Sequence, residues 1–357
     1  MHFTCTYFHN FRNLSPERRE WSPGFNLITG PNGAGKTNFL EGVGLVSGWG
    51  PLERGTRMSA LIRWRGEGRE DRASLWGGVD GEETAEVFAS LSARCSLRFC
   101  DRPTGASTMR SRVPVLSFLS SHVSLLRGGA SHRRQLLDRV GALISPSYAK
   151  RLHDYRHALR QKTALLRRNC DPGVANRVLV PIGSWLWTAR EEIVGLISSR
   201  LGDFESLLPR GSNLSLAFER GGACGMDEAK TPAEDFRVSL LAVGARERAA
   251  KTPLVGPQRD ELRIKSGTRD VAVAMSRGQS SRTASAISLA AAAVVERSLG
   301  RKPILIFDEI AAELDAGGRS EILGSLLATG CQVFAATTEA YDLDGITVHR
   351  IEDGRFL

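Results

Sequence analysis

The chain has 357 residues, of which 41% are hydrophobic and 24% are charged, and its net charge is +9. This composition is typical of globular proteins, and the length suggests about two domains. No run of residues approaches the roughly 18 apolar residues that a membrane span requires, and the N-terminus lacks the pattern of a secretory signal. We therefore expect a cytoplasmic protein with no membrane partner. The six cysteines lack the spacing of a zinc site, which predicts reduced thiols and no metal cluster.

The positive charge favours a polyanionic partner, because neutralising phosphates gives a basic protein affinity for nucleic acid without regard to sequence. Only seven of the 48 basic residues are lysines. An excess of arginine can also reflect the base composition of a genome. The charge alone therefore leaves nucleic-acid binding open.

The N-terminal third predicts strands around one helix. Residues 2–8 alternate in polarity and residues 25–28 form a short apolar run, so both predict strands. A glycine-rich turn follows, and then residues 37–46 have apolar positions at helical spacing. Alternating stretches between residues 57 and 100 indicate an antiparallel meander, with strands at 59–64, 73–76 and 95–99.

The middle of the chain is mainly helical in pattern. Residues 133–168 have apolar positions at helical spacing, which Pro146 is expected to divide into two helices. A further helix is predicted from Ser184, as its N-cap, to the stop at Pro209. Strand-like sequence then returns, at residues 261–265, 271–274, 303–307 and 332–336.

This order of elements predicts an α/β fold built from both ends of the chain. We assign residues 1–117 and 248–357 to one discontinuous domain, and residues 118–247 to a helical insertion. Both chain ends must then meet to complete any site in the first domain.

The sequence GPNGAGKT fits the phosphate-loop pattern G-x-x-x-x-G-K-[ST] at every required residue. Glycines let backbone N–H groups surround a phosphate, the lysine reaches the β and γ oxygens, and the threonine hydroxyl is a Mg²⁺ ligand. We therefore predict ATP and Mg²⁺ as cofactors. The predicted nucleotide-binding residues are Gly30, Pro31, Asn32, Gly33, Ala34, Gly35, Lys36, Thr37 and Asn38.

An acidic pair follows the apolar run PILIF at residues 303–307. Asp308 is predicted to hold Mg²⁺ beside Thr37, and Glu309 to polarise the attacking water. With Lys36, these are the predicted catalytic residues. Acidic pairs after strands are common by chance, but this chain also contains the phosphate loop.

Ser276, Gly278 and Gln279 precede an alanine-rich helix and resemble the signature motif of ABC-type ATPases. In that superfamily the motif contacts the γ-phosphate bound to the other subunit, as suits the free N–H groups at a helix N-terminus. The sequence Glu313-Leu314-Asp315 matches the dimer-contacting loop of the same superfamily. Ser276, Gly278, Gln279 and Asp315 are therefore predicted to bind nucleotide.

Further stretches resemble the RecF family of bacterial recombination-mediator ATPases. They are FRNL at residues 11–14, LVGPQRDELRI at residues 254–264, and the segments at residues 126–128, 132–138 and 146–168. The resemblance implies an ABC-type ATPase head, with a phosphate-loop core and an antiparallel β meander, plus an inserted helical lobe. It also implies nucleotide contacts at Arg12 and Asn13, weak ATP hydrolysis, ATP-dependent homodimerisation, DNA binding, and action with RecO and RecR in placing RecA on gapped DNA.

The chain departs from this family at several positions. The family's usual GPHRDD reads GPQRDE, with Gln258 and Glu261, and its usual pair of aspartates is Asp308-Glu309. Thr337 and Thr338 stand where a transporter ATPase has histidine, which argues against that branch. His349 lies too far along the chain to substitute, so we expect it to be structural.

Arginines of the helical region have two interpretations that the sequence leaves open. They either contact DNA phosphates or form a solvated helix face with their stems over apolar surface. The candidate DNA contacts are Arg133, Arg134, Arg151, Arg156, Arg160 and Arg167.

Two functional classes remain. One is a DNA-repair ATPase that closes on DNA when two heads bind ATP. The other is a regulatory or motor subunit that acts with a separate effector, in an anti-phage or chromosome-organising system. Residues 118–247 are too short, and lack the sustained heptads, for the coiled coil of a chromosome-organising head.

Overall fold

The structure is a computed structural model that describes residues 1–52, 55–63, 71–118, 123–222, 231–310, 314–339 and 344–357. The chain forms two compact units. The first contains Met1–Val123, Phe204–Leu208 and Arg277–Leu357, and the second contains Ser124–Asp203 and Pro209–Ser276. The second unit thus extends beyond the predicted boundary at residue 247, because it includes a small β-sheet whose central strand is the one predicted at residues 261–265.

An antiparallel sheet occupies the N-terminal part of the first unit. Its strands, numbered in chain order, are β1 (His2–His9), β2 (Arg18–Glu20), β4 (Ala73–Asp80), β5 (Ala85–Leu91), β6 (Cys95–Phe99) and β7 (Arg102–Thr104). They lie in the order β2-β1-β4-β5-β6-β7. The predicted strands at 73–76 and 95–99 are confirmed. The predicted strand at 59–64 is wrong where it is described, because Met58–Leu61 forms a 3-10 turn, and Trp64 lies outside the described residues.

The second sheet of this unit is mainly parallel and joins the two ends of the chain. Its strands are β3 (Phe25–Thr29), β8 (Val115–Phe118), β12 (Ile304–Phe307), β13 (Val333–Thr337), β14 (Ile346–Glu352) and β15 (Arg355–Phe356). The order is β15-β14-β3-β13-β12-β8, and only β15 runs antiparallel to its neighbour. β3 therefore pairs on both sides with strands from the C-terminal part of the chain, β13 and β14. The two chain ends thus meet in one sheet, as predicted.

Helix α1 (Lys36–Val46) packs into the core of the first unit through Phe39, which is 1% exposed. Its ring lies 4.7 Å from that of Trp21, 5.3 Å from Phe356 and 5.8 Å from Phe334. Such aromatic pairs each stabilise a core by about 0.5–1.5 kcal/mol beyond the area they bury. The helix that begins at the phosphate loop is thereby anchored to both chain ends.

The remaining helices of the first unit are α2 (Ala106–Arg112), α9 (Arg277–Leu299) and α10 (Ala316–Ala328). α9 is rich in alanine and serine, and most of its residues are buried. Small side chains let a helix lie close to its neighbours, which explains the composition noted in the sequence.

The second unit contains helices α3 (Ser124–Arg127), α4 (Ala130–Ile144), α5 (Pro146–Arg167), α6 (Gly173–Arg200), α7 (Pro232–Ala250) and α8 (Val271–Ala274). A three-stranded antiparallel sheet, β9 (Leu214–Glu219), β10 (Glu261–Ser266) and β11 (Arg269–Asp270), has the order β11-β10-β9. The predicted division at Pro146 is confirmed, because proline suits the first turn of a helix and begins α5.

Two predictions in this unit are wrong. Ser184 is not an N-cap but lies in the interior of α6, which begins at Gly173 and continues through Pro181. The helix tolerates the hydrogen bond lost at Pro181 because it buries Leu179, Leu186 and Trp187. Residues 271–274 form a helical turn rather than a strand, since the Asp270 carboxylate accepts a hydrogen bond from the Ala272 N–H at 2.9 Å.

A buried ion-pair network holds the helices of the second unit to the GPQRDE segment. Arg190, 2% exposed, donates to Asp138 at 2.8 Å, to Asp260 at 2.6 Å and to the Pro257 carbonyl at 2.6 Å. The indole of Trp187 also donates to Asp260, at 2.7 Å. Burial raises the pKa of Asp260 to about 6, against the lowering effect of Arg190 and these donors. The segment is thus a structural element of this unit.

In the part of the chain that the structure describes, no helix combines the length and the apolarity needed to cross a bilayer.

His349 is confirmed as structural. It is 5% exposed on β14, its Nε2 lies 3.1 Å from the Asn26 side-chain oxygen, and its ring lies 4.6 Å from Trp21. Burial, reinforced by the nearby Arg19, lowers the pKa of His349 from 6.5 to about 4. The folded state therefore holds this imidazole neutral at pH values where the unfolded chain protonates it.

We expect the free energy of unfolding to fall as the pH drops from 6.5 towards 4, with His349 contributing up to about 3 kcal/mol to that fall. His349→Gln should lessen this dependence, measured by urea denaturation across the range. The exposed His153 provides the control, and His153→Gln should leave the dependence unchanged. Equal slopes in wild type and His349→Gln would contradict the assignment.

Candidate nucleotide-binding site

The parallel strands β3, β13 and β12 are neighbours, so their carboxyl ends meet at one edge of the sheet. The phosphate loop follows β3, the two threonines end and follow β13, and the acidic pair follows β12. A cavity of about 380 Å³ opens there, lined by Asn32, Gly33, Gly35, Lys36, Thr37, Asn38, Asp308, Glu309, Thr337 and Thr338. The predicted loop and acidic residues are thereby brought together.

Glycines are required at specific positions of the loop. Gly33 has φ 83° and Gly35 has φ 111°, conformations that favour glycine. At Gly30 a Cβ would lie 2.1 Å from the carbonyl oxygen of Ile351 on β14. The close approach of β14 therefore requires a glycine at residue 30. Pro31 and Ala34 lie within it, joined by a hydrogen bond from the Ala34 N–H to the Pro31 carbonyl.

Lys36 begins α1 and points back into the loop. Its Nζ donates to the carbonyls of Gly30 at 2.6 Å and Pro31 at 2.9 Å. Burial lowers the pKa of Lys36, while Asp308 and Glu309 raise it. An anion bound in the loop would add a further stabilising charge for the ammonium group.

The Thr37 hydroxyl donates to Asp308 Oδ2 at 2.9 Å. Burial raises the pKa of Asp308, and this hydrogen bond and Lys36 oppose that effect. A hydroxyl and a carboxylate side by side are the oxygen ligands that Mg²⁺ takes beside bound phosphate, so these residues fit the predicted ion. The described residues contain no group of three or more His, Cys, Asp or Glu side chains arranged as a metal site.

Glu309 is exposed to solvent and has φ 54°. A glutamate in the left-handed region is strained, and such strain is concentrated at functional sites. The turn carries its carboxylate to the cavity, where it lies with Thr337 and Thr338.

A second cavity, of about 770 Å³, shares Asn38 with the first and is lined by Arg12, Asn13, Asn38, Ala60, Ile62, Arg63 and Asp353. The Asn13 amide donates to the Gly33 carbonyl at 3.2 Å and accepts from Asn38 at 2.8 Å. The predicted residues Arg12 and Asn13 therefore lie next to the loop. Sequence reasoning missed Ala60, Ile62, Arg63 and Asp353.

Arg12 is held by Glu41 of α1, which is 2% exposed. One carboxylate oxygen accepts from Arg12 at 2.8 and 2.9 Å, and the other accepts from the Leu52 N–H at 3.0 Å. A buried glutamate paired in this way fixes the guanidinium at the cavity wall.

The signature residues lie at the start of α9, where Ser276 and Gln279 are exposed and Gly278 is half-buried. They do not line either cavity. Asp315 is the N-cap of α10, and its carboxylate accepts from the Gly318 N–H at 2.8 Å. Glu313 lies outside the described residues.

Two of the candidate DNA-binding arginines donate hydrogen bonds within the second unit. Arg133 donates to both oxygens of Glu261 and to the carbonyls of Leu125 and Gly128, and its side chain is only 15% exposed. Arg134 donates to the Asp260 carbonyl at 2.6 Å. These bonds lie within the second unit, and DNA contact at Arg133 and Arg134 stays a prediction.

The other candidates are exposed on α5, at Arg151, Arg156, Arg160 and Arg167. Arg156 pairs with Asp138 at 3.0 Å, and the Arg151 guanidinium lies 4.4 Å from the ring centroid of Trp185.

Comparison with known proteins gives the family. The model described as RecF/RecN/SMC N terminal domain matches residues 5–347. The DNA replication and repair protein RecF of Rhizobium meliloti is 30% identical, over 94% of this chain and 92% of the relative. The chain belongs to the RecF family.

Solved structures confirm the predicted fold, an ABC-type ATPase head with an inserted lobe. A structure of the recombination mediator protein RecF-ATPrS in the RecFOR pathway matches with a TM-score of 0.86 at 22% identity, over 99% of this chain and 97% of that chain. An SmcHead bound to the C-winged helix domain of ScpA matches with a TM-score of 0.56 at 16% identity, over 100% of this chain and 97% of that chain.

The departure from the RecF family at residue 258 has a structural explanation. The Gln258 side-chain oxygen accepts from the Tyr155 hydroxyl, and its amide donates to the Val255 carbonyl at 2.8 Å. A neutral imidazole also has one acceptor and one donor nitrogen. Glutamine can therefore provide the same pair of hydrogen-bonding functions at this position.

We expect Gly30→Ala to lower the free energy of unfolding by about 2 kcal/mol or more, because its Cβ would overlap a backbone carbonyl. Gly44→Ala is the control, because it lies in α1 with nothing within 4 Å of the added Cβ. That change should be neutral or stabilise by up to about 1 kcal/mol. Chemical denaturation of both variants tests this, and equal stabilities would contradict the proposed close approach.

Proposed function

We propose that the chain is a DNA-repair ATPase in which ATP binding drives two copies to close on DNA. The observation that carries the proposal is the convergence of Lys36, Thr37, Asp308 and Glu309 on one cavity. Membership of the RecF family supports the biological setting.

The triphosphate would occupy the smaller cavity, and the nucleoside the larger one beside it. Backbone N–H groups of the loop and the N-terminus of α1 present partial positive charge to the phosphates. Lys36 would exchange its two carbonyl partners for β and γ oxygens. Ala60 and Ile62 offer an apolar surface to the base, and Arg12 presents a guanidinium held by Glu41.

Thr37 and Asp308 would hold Mg²⁺, which neutralises charge on the phosphate oxygens during phosphoryl transfer. Glu309, exposed at the mouth of the cavity, would accept a hydrogen bond from the attacking water and orient it. Turnover should be slow, because these groups act fully only when a second copy covers the site.

The second copy would supply Ser276, Gly278 and Gln279. Their position at the exposed N-terminus of a 23-residue helix would place the positive end of the helix dipole near a γ-phosphate. ATP would then join two heads, and hydrolysis would release them.

Glu309→Gln should bind ATP and remain a dimer, because the amide cannot polarise water as a carboxylate does. Ser276→Arg should bind ATP but stay monomeric, because the added bulk and charge lie where the second copy docks. Size exclusion with light scattering, without nucleotide, with ATP, and with ATP plus gapped DNA, measures both outcomes.

Lys36→Ala, which should lose ATP binding, and Ser199→Arg, at an exposed serine of α6, are the controls. A monomeric Glu309→Gln variant at saturating ATP would count against the catalytic role. Dimerisation of Ser276→Arg like that of wild type would remove the signature assignment.

DNA would contact one face of α5. Arg156, Arg160 and Arg167 lie within a sector of roughly 40° around the helix and span roughly 16 Å along it, whereas Arg151 is about 140° away from Arg156. The contacts would be to phosphates, since nothing in the sequence resembles a base-reading motif. We propose that this surface acts on gapped DNA or on junctions between single-stranded and double-stranded DNA. It would act there with the RecO and RecR mediators in the placement of RecA.

The double variant Arg160→Ala/Arg167→Ala should weaken ATP-dependent DNA binding for all sequences. It should also reduce the slope of log affinity against log salt by about 2, because each lost phosphate contact removes about one released counterion. Fluorescence anisotropy at several salt concentrations measures both. Arg151→Ala is the matched control on another face of α5. Wild-type affinity that is independent of salt or of ATP would overturn the DNA assignment.

A further inference from the structure

Asp353 lies at the tip of the turn that joins β14 to β15, and it lines the larger cavity beside the phosphate loop. No sequence motif of the nucleotide site includes it. Among the described residues that line this cavity, it supplies the one carboxylate. Its side chain has no hydrogen bond or ion pair to any residue that the structure describes.

The turn is fixed directly to the phosphate loop. The Gly354 N–H donates to the Ala34 carbonyl at 2.8 Å, and the Gly354 carbonyl accepts from the Ser15 N–H at 2.7 Å. A Cβ at Gly354 would lie 1.9 Å from the Asn13 carbonyl oxygen. Asp353 and Gly354 have φ 47° and 81°, so the turn needs residues that tolerate the left-handed region. The position of the Asp353 backbone is therefore set by the loop that would hold the phosphates.

The other polar side chains that the structure describes in this cavity belong to two arginines and two asparagines, and none of them is an anion. Arg12 and Arg63 only donate, and the Asn13 amide is used by Gly33 and Asn38. An ionised carboxylate only accepts hydrogen bonds, and can accept several. The Asp353 carboxylate therefore selects for a hydroxyl or amino donor on the ligand and repels an added phosphate.

The ribose carries such donors and is attached directly to the phosphates, whereas the base lies beyond it. Asp353 is adjacent to the residue that contacts the loop, while Ala60 and Ile62 give the cavity its apolar surface. In dinucleotide-binding folds, an acidic residue recognises the ribose 2′-hydroxyl in the same way. We propose that Asp353 accepts a hydrogen bond from the ribose 2′-hydroxyl and so makes the site prefer ATP to 2′-deoxy-ATP. This inference rests on the proposed nucleotide site.

Isothermal titration calorimetry of the full chain with ATP, 2′-deoxy-ATP and GTP tests the assignment. Wild type should bind ATP about tenfold more tightly than 2′-deoxy-ATP, the effect of one solvent-accessible hydrogen bond to a charged group. In Asp353→Gly, which suits φ 47° and removes the carboxylate, that ratio should fall to near one. Asp353→Asn, which retains an acceptor oxygen, should give an intermediate ratio.

Glu352→Gln is the matched control, because it removes the same charge from an exposed neighbour that pairs with Arg350 at 3.8 Å. A change of charge alone would alter the affinities for ATP and 2′-deoxy-ATP equally and leave their ratio at the wild-type value.

Three outcomes would overturn the inference while leaving the proposed function intact. They are no preference for ATP over 2′-deoxy-ATP in wild type, an unchanged ratio in Asp353→Gly, and a loss of discrimination against GTP alone, which would place the carboxylate on the base. Failure of wild type to bind any of the three nucleotides would instead remove the nucleotide site itself.

Discussion

The parallel pairing of β3 with β13, and of β13 with β12, is the constraint on which the candidate site depends. The register aligns Thr29 with Thr337 and Phe307 with Ala335, so that the phosphate loop, the threonines and the acidic pair all leave the sheet at one edge. Thr37 and Asp308 are 271 residues apart in the chain and 2.9 Å apart in the structure. A slip by one residue would turn each side chain of β12 to the other face of the sheet and separate these groups.

The same sheet fixes the loop from its other side, where β14 pairs with β3. Ile351 approaches Gly30 too closely for any side chain there, and the turn at Gly354 bonds to Ala34. The loop is thus held by contacts between protein atoms. A preorganised loop loses less conformational freedom on binding, which favours affinity.

Sequence predicted the parts of the site that are governed by local chemistry. The glycines, Lys36 and Thr37 match the pattern of a phosphate loop. The apolar run PILIF followed by Asp308 is typical of a buried strand that ends at a carboxylate. The rest depends on partners distant in sequence. Arg133 resembled a surface arginine because its partner Glu261 lies 128 residues away. Ser184 favoured a helix start, yet α6 begins at Gly173, because burial of Trp187 and its neighbours outweighs the one hydrogen bond lost at Pro181. Asp353 is near Arg12 only because the C-terminal hairpin folds onto the loop.

The position of β3 between β13 and β14 has a consequence for synthesis of the protein. β3 and the phosphate loop leave the ribosome early, but both neighbouring strands come from the end of the chain. All five residues of β3 are buried in the fold. At about 5–20 residues per second, β3 is synthesised roughly 15–60 s before its neighbouring strands. The nascent chain therefore carries β3 without its neighbouring strands for most of its synthesis. A chain that ends before β13 contains the complete phosphate-loop sequence but lacks the strands that hold the loop in place.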